Sequence, residues 1–384
     1  MASPFVRDIT THPLTPDKPN PQPFNYFDET ANPPQWRPAS SSADITNPNT
    51  DQAHQHPPPE NTNNTLHLIT WNIDFQVPYP IERMTAALHH LHHLCKTQNT
   101  SSPSSRTIIL LQEMTPSTLA VIHASPWIRS RFYVTDLTPS HWRGSGYGTT
   151  TLVDRRLGIE RVFRVPYAQS WMERDALFVD LAMTLASSGD DDGGGEGGCL
   201  RVVRVCNTHL ESLASGTAKR PVQMEVASGF MHASDTMGLG LGLGLGQPKN
   251  QPHAAVLAGD LNAFAPEDLD IPVSCGLRDA FLVLGGVEET EEAFTWGKQN
   301  AGWLVGRFPD ARMDKVLFCG GVEVRHLKRI GVGLRARVGG DEHGLGGSGV
   351  DEDLDEEEEE GVWVTDHYGL EAEFAFTTAM PESV

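Results

Sequence analysis

Cysteine is scarce in this 384-residue sequence: Cys95, Cys199, Cys206, Cys275 and Cys319 are widely spaced, odd in number and contain no Cys-x-x-Cys pair. That usage argues against a disulfide framework and a structural zinc site, and for a reduced intracellular protein. The opening residues Met1 to Asp8 lack the apolar stretch of a secretory leader. No run reaches the roughly 18 consecutive apolar residues that suggest a membrane span. The protein is therefore expected to be neither secreted nor membrane-embedded. Lysine and arginine are absent from 341–360, which holds 11 acidic residues. With Asp190, Asp191, Asp192 and Glu196 these dominate the net charge of −21; without the 15 the chain stands at −6. Blocks of like charge are usually solvated, so the body of the chain is only mildly acidic. That balance disfavours a non-specific coat on nucleic acid and leaves room for a local basic groove.

Residues 1–64 carry 13 of the 27 prolines and show no apolar periodicity. The composition predicts a disordered arm, interrupted by a small aromatic group, Phe24, Tyr26, Phe27 and Trp36, which either docks a short segment on the domain or belongs to an unanchored tail. The remainder, 65–378, reads as one catalytic domain with flexible insertions near 187–198, 235–253 and 339–361; the Gly-Leu alternation at 238–246 belongs to the second of them. Ile81 to Lys96 carries a helical stripe of Ile81, Met84, Ala87, Leu88, Leu91 and Leu94. Strands are expected at 149–153, 177–184, 294–296 and 313–318, and a half-buried antiparallel strand at 370–376. Many strands with few long helices suggest two packed sheets with helices outside.

Five apolar runs end in polar clusters: Thr70-Trp71-Asn72-Ile73-Asp74, Leu111-Gln112-Glu113, Asn207-Thr208-His209, Gly259-Asp260-Leu261-Asn262 and Thr365-Asp366-His367. As the ends of buried strands they would converge on one edge of a sheet. Glu113, assisted by the amide oxygen of Asn72, suits Mg²⁺, with manganese as the second candidate; the ion commonly takes one or two carboxylates plus water and phosphate. Asp260 and Asn262, two apart, fall on one side of an extended segment, the first able to take a proton from water and the second to orient it. Asp366 and His367 add an imidazole able to stabilise developing phosphorane charge. The set suits metal-assisted attack of water on a phosphate.

On these motifs the sequence resembles the endonuclease/exonuclease/phosphatase superfamily, over residues 66 to about 376. Within it the chain looks most like the tyrosyl-DNA phosphodiesterase 2 branch. That likeness rests also on Gly146-Tyr147, Ser170-Trp171-Met172-Glu173-Arg174, His209-Leu210-Glu211-Ser212, Phe294-Thr295-Trp296 and Arg312-Met313-Asp314-Lys315. The resemblance implies a DNase I-like, four-layered α/β sandwich of two mixed sheets flanked by helices. It implies Asn72 and Glu113 at the metal, and Asp260 with Asn262 positioning the nucleophile. His209, Ser212 and His367 would contact the scissile phosphate, Asp366 would orient the site, and Tyr147 and Trp296 would line a substrate channel. Asp314 is read as a structural partner of a neighbouring loop.

The chain departs from the branch at Phe75, where the pattern has glycine, and at Ala263-Phe264-Ala265, where an arginine contact to phosphate is missing. Arg174, Arg143, Lys219 and Arg220 are the candidates to replace it. The expected activity is a metal-dependent phosphodiesterase acting on a DNA 5′ end, most simply a 5′-phosphotyrosyl adduct, with nuclear or cytoplasmic placement. Another nuclease or phosphatase of the superfamily is the first alternative. A phosphate- or nucleic-acid-binding protein that has lost turnover is the non-enzyme alternative.

Overall fold

The computed structural model describes residues 14–39, 65–101, 106–144, 146–185, 199–232, 251–300, 306–338 and 361–378. Its first strands are β1 (Asn20–Gln22), β2 (Asn25–Asp28), β3 (Gln35–Pro38), β4 (Thr65–Asn72), β5 (Arg106–Met114) and β6 (Phe132–Val134). They continue as β7 (Gly148–Asp154), β8 (Gly158–Pro166), β9 (Asp175–Leu185), β10 (Cys199–His209), β11 (Ala254–Asp260) and β12 (Arg278–Asp279). The last are β13 (Asp314–Gly320), β14 (Val322–Ile330), β15 (Arg335–Arg337), β16 (Gly361–Trp363) and β17 (Gly369–Phe376). The helices are α1 (Pro80–Ser101), α2 (Pro116–Ala124), α3 (Pro126–Arg131), α4 (Arg220–Gly229), α5 (Ile271–Ser274) and α6 (Ala280–Val283).

One sheet runs β1-β8-β9-β10-β11-β13-β12 and the other β14-β17-β4-β5-β7-β6-β2-β3; β15 and β16 pair apart. Side-chain alternation explains the layering. Leu66 and Leu68 of β4 join Val179, Val205, Val256 and Phe374 between the sheets, while Ile69 and Trp71 meet Met84, Leu88 and Leu91 of α1. Phe178, Leu257, Met224 and Ala227 form a third cluster, which sets α4 on the outer face of the seven-stranded sheet. The order is helix, sheet, sheet, helix, the DNase I-like sandwich expected. Strands covered on both faces must be apolar at nearly every position, hence the continuous runs in the sequence. No helix among the described residues is long and apolar enough to cross a membrane.

Three expectations need correction. Residues 14–39 are not a disordered arm: they supply β1 to the edge of one sheet and β2 and β3 to the edge of the other. Phe24 and Tyr26 enter the inter-sheet core, Phe24 edge-on to Tyr133 at 5.3 Å. Gln22 accepts from the buried Arg164 at 3.2 Å, and Arg164 in turn holds Asp175 and Asp136 at 2.8 and 3.1 Å. Edge strands of three or four residues leave no period to read, and proline is tolerated at such edges. At 294–296 there is no strand; Trp296 makes isolated bridges to Ala311 and His367. β17 is covered on both faces, its Glu371 buried against His67 at 2.8 Å and Lys328 at 2.9 Å. The expected insertions lie outside the described residues, save for 251–253 and Gly361.

Candidate active site

Strand direction builds the site. β4 and β5 are parallel, as are β10 and β11, so Asn72, Glu113, His209 and Asp260 all lie at carboxyl ends on one edge of the sandwich. β13 is antiparallel to β11 and therefore brings its first residue, Asp314, opposite Asp260. The turn before β17, which is antiparallel to β4, delivers Asp366 and His367. Across the two sheets, Asn72 Nδ2 donates to Asp260 Oδ2 at 2.9 Å, and Gln112 Nε2 donates to Asn207 Oδ1 at 2.8 Å.

Several site residues are held in uncommon backbone conformations. Asp74, Glu113 and Asn262 have φ of 52°, 59° and 48°. The ladder between β5 and β7 shifts register between Leu111 and Met114, a bulge that re-aims Glu113. Glycine is required at 259: a Cβ there would lie 1.8 Å from the Thr208 carbonyl oxygen. Strained positions of this kind cluster at functional sites, where surrounding contacts over-determine them. Here buried Arg83 supplies some of those contacts, donating to the Ile73, Asp74 and Trp363 carbonyls at 3.0–3.1 Å.

The polar atoms sort into three groups. Arg174 Nη1 lies 2.6 Å from His209 Nδ1, and its Nη2 donates to Ser212 at 2.9 Å. A guanidinium only donates, so Nδ1 accepts and the proton of neutral His209 sits on Nε2. Burial, then Arg174, holds this imidazole below its ordinary pKa. Nε2 is buried and faces two carboxylates, with Asp260 Oδ2 3.2 Å away and Glu113 Oε1 3.9 Å. The Arg174 guanidinium also lies 5.1 Å from the Tyr147 ring centroid, and Tyr147 stacks on Phe75 at 4.2 Å.

In the second group, His367 Nδ1 meets Asp314 Oδ2 at 2.8 Å, and its Nε2 is 3.7 Å from Asp260. Burial would depress His367, but Asp314, Asp366 and Asp260 outweigh it and hold the imidazole well above its usual range. Trp296 Nε1 donates to Asp366 Oδ2 at 2.8 Å, so this indole is fixed by the site it was expected merely to line. Asp314 is the residue sequence reasoning misplaced. It is fully buried and its loop partner is His367 itself, in the turn before β17, so it belongs to the site.

The third group is the excess of carboxyl groups. Burial raises Glu113 against the pull of His209 and Arg174, and lifts Asp74 and Asp314 each to about 6. Burial works the same way on Asp260, but His209 and His367 overcome it and hold that carboxyl well below the usual range. Asp260 is therefore ionised throughout the neutral range and suited to aligning water rather than keeping its proton. Asn262 beside it donates its backbone N–H to Asp260 Oδ1 at 2.9 Å. Buried, mutually repelling carboxylates at a strand edge are the donor set a hard divalent cation fits. Glu113 faces that space, while Asn72 Oδ1 already accepts the Asp74 N–H at 2.9 Å and keeps one lone pair. The ligand atoms of Asp260, Asp314 and His367 also lie within 4.8 Å of one another. Because His367 Nδ1 is taken by Asp314, that trio reads as a hydrogen-bonded dyad.

Three of the four arginine and lysine candidates for the missing phosphate contact are engaged elsewhere. Arg220 is buried in an ion pair with Asp268 at 2.8 Å, Lys219 lies over Trp171, and Arg143 donates to the Tyr167 carbonyl. Only Arg174 reaches the site.

The profile of the Endonuclease/Exonuclease/phosphatase family matches residues 69–367, and the chain belongs to that family. Its members are typically phosphoester hydrolases, generally dependent on divalent metal. A search of the curated proteins gives no match. Among solved structures, D. rerio TDP2 complexed with single strand DNA product is 18% identical, with 81% of this chain and 99% of that one covered and a TM-score of 0.53. Truncated Caenorhabditis elegans TDP2 is 19% identical, with 81% and 97% covered and the same TM-score, 0.53. These likenesses are of fold.

Proposed function

We propose that the chain is a divalent-metal-dependent phosphodiesterase that hydrolyses adducts at DNA 5′ ends by in-line attack of water, with a 5′-phosphotyrosyl linkage as the first substrate to try. The observation that carries the reading is the Nε2–H of buried His209, aimed by Arg174 into the space between the Glu113 and Asp260 carboxylates, 3.9 and 3.2 Å away. A donor fixed there, with Ser212 beside it, is placed for a non-bridging phosphate oxygen.

Glu113, with Asn72 next to it, would hold a magnesium or manganese ion, which when bound supplies charge stabilisation and lowers the pKa of water. Asp260 and Asn262 align the attacking water. Protonated His367, backed by Asp314, stabilises the charge that develops on the phosphorane. Asp366 fixes Trp296 at the rim, and the Arg174-Tyr147-Phe75 stack forms the opposite wall. The similarity to a TDP2 structure holding single-strand DNA supports a DNA end over an inositol phosphate. So does the absence of a Trp-Cys-Asp-Arg block at Arg312-Met313-Asp314-Lys315.

The deciding experiment offers 5′-tyrosyl DNA, abasic DNA, inositol phosphates and bis(p-nitrophenyl) phosphate, with Mg²⁺ and with chelator. Chelator-sensitive release of tyrosine at the highest kcat/KM supports the proposal. Preference for another phosphoester moves the chain elsewhere in the family, and no turnover of any substrate makes it a binding protein.

A further inference from the structure

Two exposed aromatic side chains flank the site and have no part in the chemistry above. Trp171 is 71% exposed and Phe264 38%. Each has a cation against the ring: Lys219 Nζ lies 3.8 Å from the Trp171 ring centroid and the Arg220 guanidinium 4.6 Å from that of Phe264. Lys219 and Arg220 are consecutive and open α4, so both rings gather at the amino end of that helix.

Both rings stand on fixed backbone. Glu211 Oε1 accepts the Trp171 N–H at 2.8 Å, and Glu211 Oε2 accepts from the Ser170 hydroxyl at 2.7 Å. Asp268 ties Arg220 at 2.8 Å and accepts the Ala265 N–H at 2.9 Å, steadying the turn that carries Phe264. Trp171 is three residues from Arg174 and Phe264 two residues from Asn262, so both rings sit on the segments that supply the site.

We propose that Trp171 and Phe264 form a stacking site for the unpaired base nearest the scissile phosphate. The identity of the occupant rests on the DNA-end reading above; the chemistry rests on what the rings and cations leave available. Lys219 and Arg220 have their charges engaged, by a π face and by Asp268, so the surface offers flat aromatic area and little free cation for a second phosphate. Every base has a π face, which makes such platforms tolerant of sequence. In a duplex the faces are covered by neighbours, so the site selects unpaired or frayed ends. Phe264 thus replaces an ionic contact by a stacking one.

The test uses the full chain with Mg²⁺ and a single-stranded hexanucleotide bearing a 5′-phosphate, which has no adduct to release. Binding is expected to quench the part of the tryptophan fluorescence that W171F removes. A 5′-terminal abasic nucleotide, and separately the W171A and F264A variants, should each weaken binding by roughly 5- to 100-fold, the range of base–aromatic stacking. In F264R the slope of log affinity against log salt should steepen by about 0.7, the increment for one more phosphate contact on a single strand. Far-ultraviolet circular dichroism shows that each variant is folded. Equal binding of normal and abasic ends by the parent, or an unquenched Trp171 in the bound state, overturns the stacking site. Failure of the DNA-end reading shows differently: bis(p-nitrophenyl) phosphate is hydrolysed while the hexanucleotide does not bind at all, and that result overturns both.

Discussion

Asp314 Oδ2 lies 2.8 Å from His367 Nδ1, joining the first residue of one sheet's strand to a turn that leads into the other sheet. The contact fixes the ring, and the carboxylate favours the imidazolium. Asp314→Asn should therefore lower kcat by roughly 10²-fold or more, the scale of losing one acid–base participant. The pH dependence gives the sign. His367 is held above its ordinary pKa by carboxylates, chiefly Asp314 against the opposing effect of burial, and in the proposed mechanism its protonated form is the active one. Without the Asp314 charge that pKa falls, so the alkaline limb of the kcat profile should move to lower pH. A variant with an unmoved limb would show that Asp314 only packs.

Asp260→Asn keeps the shape and removes the charge facing His209. Turnover should fall by about 10²–10⁴, with the unfolding transition retained. Single-turnover rates with saturating Mg²⁺ measure this, and near-parent kcat would take Asp260 out of the nucleophile's surroundings.

Glu113→Gln leaves the backbone bulge in place and removes a half-buried carboxylate that accepts the Phe75 N–H at 3.0 Å and faces His209 at 3.9 Å. The Mg²⁺ concentration for half-maximal rate should rise, and the maximum should drop. A titration of rate against Mg²⁺ decides it, because an unchanged midpoint would place the ion elsewhere.

Arg164→Met would strand two buried carboxylates, Asp136 and Asp175, which the guanidinium holds at 3.1 and 2.8 Å. Breaking a buried ion pair from one side destabilises by about 3–5 kcal/mol. Urea unfolding of the variant should show that loss at an unchanged m-value.

Removing residues 1–39 uncovers the space filled by Phe24 and Tyr26. Each buried aromatic contributes roughly 1.5–3 kcal/mol, so the truncated chain should lose roughly 3–6 kcal/mol of stability. A chain lacking only residues 1–13 keeps both aromatics and is the control. Equal melting of both truncations would make 14–39 a passive appendage.

The unevenness of what could be read has a physical origin. Asn72, Glu113, His209 and Asp260 were legible because each closes an apolar run, and a strand covered on both faces must be such a run. Asp314 heads its run instead of ending it. In an antiparallel strand the beginning lies at the edge where parallel strands end, so the same pattern read in reverse would have found it. Arg83 and Glu211 gave no signal, because a charged residue that caps carbonyls or collects N–H groups inside a fold looks like any surface charge.

By itself the sequence determined the buried central strands, the two-sheet class and the types of group at those strand ends, since burial on both faces imposes apolar runs and polar residues must stop them. Tertiary structure alone decided which groups meet. That Arg174 sets the tautomer of His209, that His367 takes Asp314, that Asn72 spans the sheets to Asp260, and that Phe24 and Tyr26 turn a proline-rich segment into two sheet edges all depend on contacts between residues far apart in the chain. Local pattern encodes which face of a strand is buried; it carries no record of what lies across the gap.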